Sequence, residues 1–503
     1  MQTAVRFFYS LLAGILLFSF SSFAQVAIQD DPIASMLDSL SNKKILETAL
    51  AKPVYPKTNK YHFAPDSVPV YDDFVYEARC AKLDAASPFD LQYHPEVRGY
   101  IELYTFRKRE LVQRMMGVSQ LYYPMFEEIL DKYNLPLELK HLAVIESALN
   151  PNAKSRAGAM GLWQFMYQTG KLYDLSVNSY IDERCDPYKA TTAAAEYLGD
   201  LYKLFGDWQM VLAAYNAGPG TINKAIRRSG GKKTYWEIRP FLPKETQAYV
   251  PAFIAANYVM NYTAEHNLYS AAPKKSYFEI DTLILREPLT FQQLAEVLDV
   301  TSEEVAYFNP MYRKNVIPGG GYKLTLPKSK IGKFITNEEE IYSLIRSKSE
   351  TKQIDEVASL PKEITVYHTV KKNEKITAIA KKYGVSVTDI RTWNYIKPKA
   401  QLKTGKRLVL YVREKSAKPV NPETVPTEST PDKNQVANNA SEKNTSIEKE
   451  NKTATKTYVV KKGDNLYKIA RVNKMTIEDL KKLNKINENT KLLIGMKLKV
   501  NKA

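Results

Sequence analysis

The sequence predicts an α+β protein, in which a mostly helical domain is followed by small modules of two strands and two helices. From about Tyr93 to Tyr269, apolar residues recur at three- and four-residue spacing, as in packed amphipathic helices. The C-terminal half repeats itself, because the segment that starts at Thr369 resembles the segment that starts at Val459. A chain of 503 residues exceeds the usual size of one domain, which agrees with several folded units.

The repeat aligns without gaps at an offset of 90 positions. The matched pairs include Val370 and Val460, Asn394 and Asn484, and Gly405 and Gly495. A blurred copy lies 85 positions before the first clear one, with Asn309 in the place of Asn394. Each copy begins and ends with alternating apolar residues and has two short helical patterns between them. This pattern predicts the order strand, helix, helix, strand.

Shifts in composition and pattern divide the chain further. The segment after the first clear repeat has no aromatic residue and is rich in Pro, Glu, Thr, Asn, Lys and Ser, which is typical of a disordered tether. The predicted organisation is a signal peptide at 1–24, an N-terminal arm at 25–92, a helical domain at 93–270, a degenerate module at 277–328, a module at 366–412, a disordered linker at 413–456 and a last module at 457–503.

The N-terminus predicts export. Arg6 precedes an apolar run, and Ser22-Phe23-Ala24 places small residues where a signal peptidase reads them. The run of about 14 apolar residues is shorter than the roughly 20 that span a bilayer. We therefore expect cleavage after Ala24, a periplasmic location, no stable membrane anchor and no nucleic-acid partner. The sequence does not indicate an oligomeric state.

The chain is basic, with a formal net charge of +17, which favours polyanionic partners such as the carboxylates of a cell wall. A merely solubilising basic surface is the alternative. Cys80 and Cys185 are the two cysteines, and they are compatible with one disulfide or with two buried thiols. Motifs for metal ligation or phosphate binding are absent from the sequence, so no cofactor is expected.

Glu146 is the candidate catalytic residue. The helix that contains it is expected to begin at Pro136 and to end at Asn150-Pro151, and Glu146 falls on its apolar stripe, in the last turn. Burial and the negative end of the helix dipole both raise the pKa of such a carboxyl, as proton delivery near neutrality requires. The alternative is a glutamate at the rim of the domain that reaches solvent.

The segment after Glu146 strengthens the catalytic interpretation. Gly158 and Gly161 allow close approach of the backbone to a ligand, and Ser155 and Gln164 supply neutral groups that suit sugar hydroxyls and amides. The stretches "ESALNPNAKSRAGAMGLWQFM", "AAYNAGPG" and "ETQAYVPAF" occur in this order. Together they resemble the lysozyme-like domain of the soluble-type lytic murein transglycosylases. The repeats resemble LysM modules, which bind glycans that contain N-acetylglucosamine.

The resemblance implies a goose-lysozyme-like fold and cleavage of the β-1,4 bond between N-acetylmuramic acid and N-acetylglucosamine in peptidoglycan. By position, Glu146 matches the family's catalytic acid and base, and Tyr249 matches the tyrosine that faces it. The other matched positions line the cleft or hold its structure: Ser155, Gln164, Tyr215, Asn216 and Glu245. One acid suffices in this family, because the C6 hydroxyl of the substrate attacks the anomeric carbon and leaves a 1,6-anhydro sugar.

In the last module, Gly463, Asp464 and Asn465 form the expected turn between the first strand and the first helix. In LysM modules this turn contributes to the glycan groove, and ordinary turn chemistry is the alternative. The modules are expected to act as tethered anchors on glycan strands.

One residue departs from the family pattern, and two alternative functions stay open. Tyr167 stands where the family usually has proline, which bears on the shape of the cleft. A hydrolytic muramidase would need a second acid, for which Asp182, Glu183 and Asp186 are the nearest candidates in sequence. A peptidoglycan-binding protein without activity is the other alternative.

Overall fold

The structure of the chain is a computed structural model. The residues that it describes are 31, 33–35, 60–348, 363–394, 396, 400–413, 455–460, 469–470, 473, 475, 477–486 and 495–501. The expected signal peptide, nearly all of the expected linker and the turn residues Gly463, Asp464 and Asn465 lie outside these ranges. Within them, no helix is both long and apolar enough to cross a membrane.

Helices form the first domain, as the apolar spacing predicts, and a further helix lies in the arm that precedes it. They are α1 (Asp73–Asp84), α2 (Pro95–Glu102), α3 (Arg109–Lys132), α4 (Leu142–Ser147), α5 (Tyr167–Leu172), α6 (Pro187–Phe205), α7 (Trp208–Ala217), α8 (Pro219–Arg228), α9 (Tyr235–Ile238) and α10 (Lys244–Asn261). Short 3-10 turns at Leu137–His141, Glu183–Cys185, Arg239–Phe241 and Tyr277–Glu279 connect some of them.

Helix α10 is the centre of this domain. An almost unbroken series of its side chains, from Ala248 to Val259, is buried. It packs against α2, α4 and α7, so a residue on α10 is held from several sides. The arm upstream also reaches its C-terminal end, because the Tyr71 hydroxyl donates to the Glu265 carbonyl and α1 packs on α10.

The degenerate module follows directly. It consists of β1 (Ile280–Leu285), β2 (Leu289–Thr290), α11 (Phe291–Leu298), α12 (Ser302–Phe308), β3 (Val316–Ile317) and β4 (Tyr322–Pro327). Strands β1 and β4 pair antiparallel, with Leu283 opposite Leu324. Two further helices, α13 (Lys328–Thr336) and α14 (Glu338–Lys348), continue past residue 328 and add Phe334 and Tyr342 to the same apolar core.

Backbone hydrogen bonds join the degenerate module to the helical domain. The Asp182 N–H donates to the Met311 carbonyl at 2.8 Å, and the Arg313 N–H donates to the Tyr180 carbonyl at 2.8 Å. Tyr180 and Cys185 of the helical domain also belong to the apolar core of the module. The two parts therefore share a core and a backbone ladder.

The next module contains β5 (Glu363–Thr369), α15 (Ile376–Tyr383), α16 (Val387–Trp393) and β6 (Arg407–Arg413). Its core includes Ile379, Ile390 and Leu408, and it also takes in Tyr167 and Val177 of the helical domain. The described residues from 31 to 413 belong to one compact unit, and those from 455 to 501 belong to a second. In the second unit the structure describes β7 (Thr455–Val459), which pairs antiparallel with β8 (Lys497–Asn501), and α17 (Ile477–Asn484).

The repeated asparagine has the same structural role in all three copies. The Asn394 amide donates to the Val409 carbonyl at 2.8 Å, and its side-chain oxygen accepts from the Val409 N–H at 2.7 Å. Asn309 makes the same pair of bonds with Thr325, and Asn484 makes it with Lys499. Each asparagine thus ties the end of the second helix to the last strand, which is why this position stays recognisable in the blurred copy.

The cysteines do not form the disulfide that the sequence allowed. Cys80 and Cys185 are both free and buried. Cys80 lies on α1 and Cys185 lies in the core shared with the degenerate module. Burial raises the pKa of the Cys80 thiol to about 12 and also raises that of Cys185, so both stay protonated and unreactive.

Candidate active site

Glu146 lies in the last turn of the short helix α4. The chain enters this helix through the 3-10 turn Leu137–His141. It leaves the helix because Ala148 and Leu149 adopt left-handed conformations, with φ angles of 51° and 60°. The Glu146 side chain points into the apolar stripe that the sequence predicts, and the residue is only 7% exposed.

Burial raises the pKa of the Glu146 carboxyl to about 8. The hydrogen bond from Tyr249 lowers this pKa, and the nearby charge of Glu245 raises it. Burial is the largest of the three effects, because an ionised carboxylate loses its hydration in an apolar site. At neutral pH the carboxyl therefore holds its proton, as a general acid must.

Tyr249 is the direct partner of Glu146. Its hydroxyl donates a hydrogen bond to Oε1 of Glu146. Tyr249 is fully buried on α10, and burial together with the Glu146 charge raises the pKa of its hydroxyl well above the usual value. The tyrosine consequently remains a neutral donor throughout the range in which Glu146 titrates.

Tyr215 and Asn216 lie at the end of α7 and bond to the segments around Glu146 and Tyr249. The Tyr215 hydroxyl donates to the Trp163 carbonyl at 2.7 Å, in the segment that follows Glu146. The Asn216 amide donates to Oε1 of Glu245 at 3.2 Å, and its oxygen accepts from the Thr246 hydroxyl at 2.7 Å. These contacts connect α7 to the loop and to α10, and they place Glu245 close enough to influence Glu146.

Ser155 and Gln164 bond mainly to the backbone of their own loop. The Ser155 hydroxyl oxygen accepts from the Ala159 N–H at 3.0 Å. The Gln164 amide nitrogen donates to the Ala153 carbonyl at 3.1 Å and to the Gly161 carbonyl at 2.8 Å. These bonds shape the loop beside Glu146, and contacts of the two residues with sugar stay a prediction.

Gly161 is required by close approach to protein backbone. Its φ angle is 86°, and a Cβ at this position would lie 1.8 Å from the Arg184 carbonyl oxygen. The sequence predicted a close approach to a ligand at this glycine. The neighbour found here is instead the 3-10 turn Glu183–Cys185.

Sequence reasoning did not identify Arg184, which holds the loop that follows Glu146. Its guanidinium donates to the carbonyls of Gly158 at 3.1 Å and Phe165 at 3.2 Å. Asp182 pairs with it at 2.7 Å, and both side chains are 2% exposed. Arg313 of the degenerate module lies 3.3 Å from the same Asp182 carboxylate. The only hint in the sequence is one arginine between acids in "DERCD".

Ser147 was also missed. It is fully buried, and its hydroxyl lies within hydrogen-bond distance of the Ala143 carbonyl at 3.0 Å and the Leu162 carbonyl at 2.9 Å. It therefore ties the helix that bears Glu146 to the following loop. The one feature of the sequence that could have pointed to Ser147 is its position next to Glu146.

The three acids considered for hydrolysis are engaged elsewhere. Asp182 pairs with two arginines, and the Glu183 carboxylate binds the Lys189 ammonium and accepts from the Ser176 N–H. Asp186 caps helix α6 by accepting from the Lys189 N–H at 2.9 Å. None of these three carboxylates affects the pKa of Glu146, whereas the charge of Glu245 raises it.

Comparison with known proteins agrees with this architecture. The model of the transglycosylase SLT domain matches residues 124–238, the LysM-like domain of lytic transglycosylase MltD matches 279–343, and the LysM domain matches 368–410 and 458–501. Membrane-bound lytic murein transglycosylase D of Escherichia coli (strain K12) is 28% identical over 363 residues, which cover 71% of this chain and 72% of that protein.

Two shorter similarities are confined to part of the chain. Soluble lytic murein transglycosylase of Escherichia coli (strain K12) is 35% identical over 118 residues, or 22% of this chain and 18% of that protein. The crystal structure of the 70 kDa soluble lytic transglycosylase from Escherichia coli covers 31% of this chain and 27% of its own, at 28% identity. Its TM-score of 0.25 is too low to bear on the fold.

The SLT domain and the lytic murein transglycosylases that the chain resembles thus define an enzyme of the lytic transglycosylase class. More closely, the chain combines a transglycosylase SLT domain, an MltD-type LysM-like domain and LysM domains, and it is similar over most of its length to membrane-bound lytic murein transglycosylase D. The resemblance seen in the sequence motifs and the predicted α+β fold class are confirmed.

Proposed function

We propose that the protein cleaves the β-1,4 bond between N-acetylmuramic acid and N-acetylglucosamine in peptidoglycan, with Glu146 as the single general acid and base. The observation that supports this proposal best is the buried Glu146 carboxyl, whose pKa is raised to about 8 and whose oxygen accepts a bond from Tyr249. A carboxyl that keeps its proton at neutral pH can protonate a glycosidic oxygen.

The reaction balances without water. Glu146 gives its proton to the glycosidic oxygen as the bond from that oxygen to C1 of N-acetylmuramic acid breaks. The C6 hydroxyl of the same sugar then attacks C1, and the Glu146 carboxylate accepts the hydroxyl proton. The products are a 1,6-anhydro sugar and a free C4 hydroxyl, and Glu146 regains its acid form. Since the C6 hydroxyl is tethered to the reacting sugar, its effective concentration is high.

The positions of the other carboxylates favour this route over hydrolysis. A hydrolytic muramidase needs a second carboxylate free to activate water or attack C1. Asp182, Glu183 and Asp186 each have structural partners. Glu245, which influences Glu146, is bonded to Asn216, and we assign it a positioning role.

The remaining site residues are proposed to shape the cleft. Tyr249 orients the Glu146 carboxyl, and Tyr215 and Asn216 fix the floor through Trp163 and Glu245. Ser155 and Gln164 hold the loop that borders the cleft, and their remaining hydrogen-bonding capacity is directed to sugar. We also propose an exported, periplasmic location, where the LysM domains bind glycan strands and raise the local concentration of the enzyme.

Digestion of purified sacculi tests the proposal. The wild-type chain should release muropeptides that end in 1,6-anhydro-N-acetylmuramic acid, each lighter by one water than its hydrolysed counterpart in mass spectrometry. The variant Glu146→Gln should release none, because an amide cannot donate the proton. Reducing ends alone would support the muramidase alternative. Equal turnover by the glutamine variant would rule out the assigned role of Glu146.

A further inference from the structure

A cavity of about 530 Å³ lies between the helical domain and the LysM-like domain. Its floor is formed by Leu121, Tyr122 and Met125 of α3. The LysM-like domain contributes the end of α12 and the outward-facing residues Thr282 and Thr325, which lie opposite each other in the sheet. The lining includes none of the residues placed around Glu146. The cavity is therefore separate from the active site, in a place where binding sites are common, between two domains.

Aromatic side chains line the walls of this cavity. Tyr188 and Tyr277 lie on the side of the helical domain, and Tyr307 and Phe308 lie on the LysM-like side. All four are partly exposed, and Tyr188 is 47% exposed. Aromatic rings with an accessible face can pack against the C–H face of a pyranose, while tyrosine hydroxyls can bond to its polar edge. This lining suits a saccharide better than a purely apolar ligand.

Two lysines and one carboxylate, Asp186, line the cavity. The ammonium groups of Lys189 and Lys323 border the cavity, and the Lys323 ammonium lies 5.6 Å from the centre of the Tyr188 ring. Lys189 is paired with Glu183. Among the described residues, no carboxylate lies within ion-pair distance of Lys323, although Asp186 is near enough for the two charges to interact. Lys323 is therefore available to an acidic ligand beside an aromatic face.

We propose that this cavity is a second glycan site, which binds an N-acetylated saccharide that carries a carboxylate. A sugar ring would pack between Tyr188 and Tyr307, and its carboxylate would pair with Lys323. The carboxylate can be the lactyl group of muramic acid or an acid of an attached peptide, and both present the same chemistry to the lysine. The proposal rests on the proposed function, since wall glycan supplies such a ligand. The site would hold a second stretch of glycan while Glu146 acts on the first.

Binding to the full-length Glu146→Gln chain tests the site, because this chain should not consume the ligand. The probes are the disaccharide of N-acetylglucosamine and N-acetylmuramic acid, the same disaccharide with an attached dipeptide, and neutral chitobiose. Hydrogen exchange read by mass spectrometry should show protection at 186–189 and 307–312 with the acidic probes. A stronger effect of the dipeptide form would identify the peptide acid as the partner of Lys323. A weaker effect would identify the lactyl carboxylate, because attachment of the dipeptide converts that carboxylate to an amide.

Two substitutions in this background locate the binding. Tyr188→Ala should remove the protection at 307–312 and weaken binding at this site about tenfold, whereas Tyr188→Phe, which keeps the ring, should not. Lys323→Met should abolish the preference for acidic probes over chitobiose. Tyr202→Ala, at a tyrosine that is 39% exposed outside the cavity, is the matched control and should change neither result.

The proposal is overturned if the acidic probes protect only segments near Glu146, or if Tyr188→Ala and Lys323→Met leave the protection unchanged. Thermal unfolding of each variant should match the parent, since both side chains are partly exposed. Failure of this site can be told from failure of the proposed function. A chain with Tyr188→Ala and an intact Glu146 should still produce anhydro ends from sacculi, whereas failure of the proposed function removes those ends from the wild-type digest.

Discussion

The hydroxyl of Tyr249 donates a hydrogen bond to Oε1 of Glu146, and both residues are buried at the contact between α10 and α4. Burial raises the pKa of the carboxyl, while the tyrosine bond lowers it, so the two effects act against each other. The result is a carboxyl that stays protonated at neutral pH and still has a donor for its ionised form. A single-acid mechanism needs both properties, because the same group first donates a proton and then, as a carboxylate, accepts one.

The first prediction concerns the pH dependence of activity. Because the pKa of Glu146 is about 8, kcat/KM on a soluble glycan should be sustained through neutrality and fall about tenfold per pH unit well above pH 8. The measurement is the initial rate of anhydro-product formation from pH 5 to 10. An alkaline limb centred near the ordinary value of 4.5 would contradict the assigned role of Glu146.

The same pKa predicts a stability effect. The folded carboxyl has the higher pKa, so between the unfolded value of about 4.5 and the folded value of about 8 the native state binds more protons. The stability contributed by this group is complete below pH 4.5 and is lost progressively as the pH rises through this window, by roughly a few kcal/mol in total. Chemical denaturation of the wild type and Glu146→Gln should therefore show a difference that grows in favour of the variant up to about pH 8. A difference independent of pH would contradict the raised pKa.

The third prediction isolates the tyrosine. Tyr249→Phe removes the bond that lowers the pKa of Glu146, so the alkaline limb should move to higher pH. The ionised form loses a hydrogen bond of about 1.5–3 kcal/mol, so kcat should fall roughly 10- to 100-fold with little change in KM. Tyr258→Phe, at another buried tyrosine on α10, is the matched control and should leave the alkaline limb in place. If both variants shift the limb alike, the effect comes from packing of α10.

Much of this site could be predicted from the sequence, for two reasons. The spacing of apolar residues around Glu146 indicates which helix face it shares, and the resemblance to the transglycosylase family supplies its partner Tyr249. The pattern could not show whether Ser155 and Gln164 face a ligand or their own backbone, because both uses need the same polar groups. It also could not find Arg184, whose contacts with Gly158 and Phe165 depend on how distant turns pack.

The fold, like the site, could be predicted only in part from the sequence. The repeated asparagines marked the modules because each makes the same bonds to a last strand. Proline does not always mark the end of a helix in this chain, since Pro124 and Pro251 lie inside α3 and α10. Burial along these helices outweighs the bond lost at each proline. The sequence does not give the distance between two cysteines, so only the structure could show that Cys80 and Cys185 form no disulfide.

The fourth prediction tests whether Asp182 has a structural or a catalytic role. Asp182→Asn leaves the buried Arg184 without its charge partner, which should lower the free energy of unfolding by about 3–5 kcal/mol. The products of the remaining folded enzyme should still be anhydro sugars. The measurements are denaturant unfolding and mass spectrometry of digests at a temperature where the variant is folded. A loss of turnover without a loss of stability would instead assign Asp182 to the chemistry.

The last prediction concerns Tyr167, which the sequence marked only as a departure from the family pattern. Its buried ring packs against Trp393 and Tyr411 of the module that contains β5 and β6, with ring centres 6.3 and 5.0 Å apart. The neighbouring Gln168 amide donates to the Trp393 carbonyl at 3.1 Å. These contacts place the module against the helical domain.

Tyr167→Ala should therefore release this module. The variant loses apolar contacts worth about 3–5 kcal/mol, so amide exchange in α16 and β6 should become faster while exchange in α10 stays slow. Gln168→Ala removes a single hydrogen bond, worth about 1 kcal/mol, and is the control that should leave the module docked. Hydrogen exchange with mass spectrometry distinguishes the two variants. Unchanged exchange in α16 after Tyr167→Ala would mean that the module is held by other contacts, such as the packing of Val177 into its core.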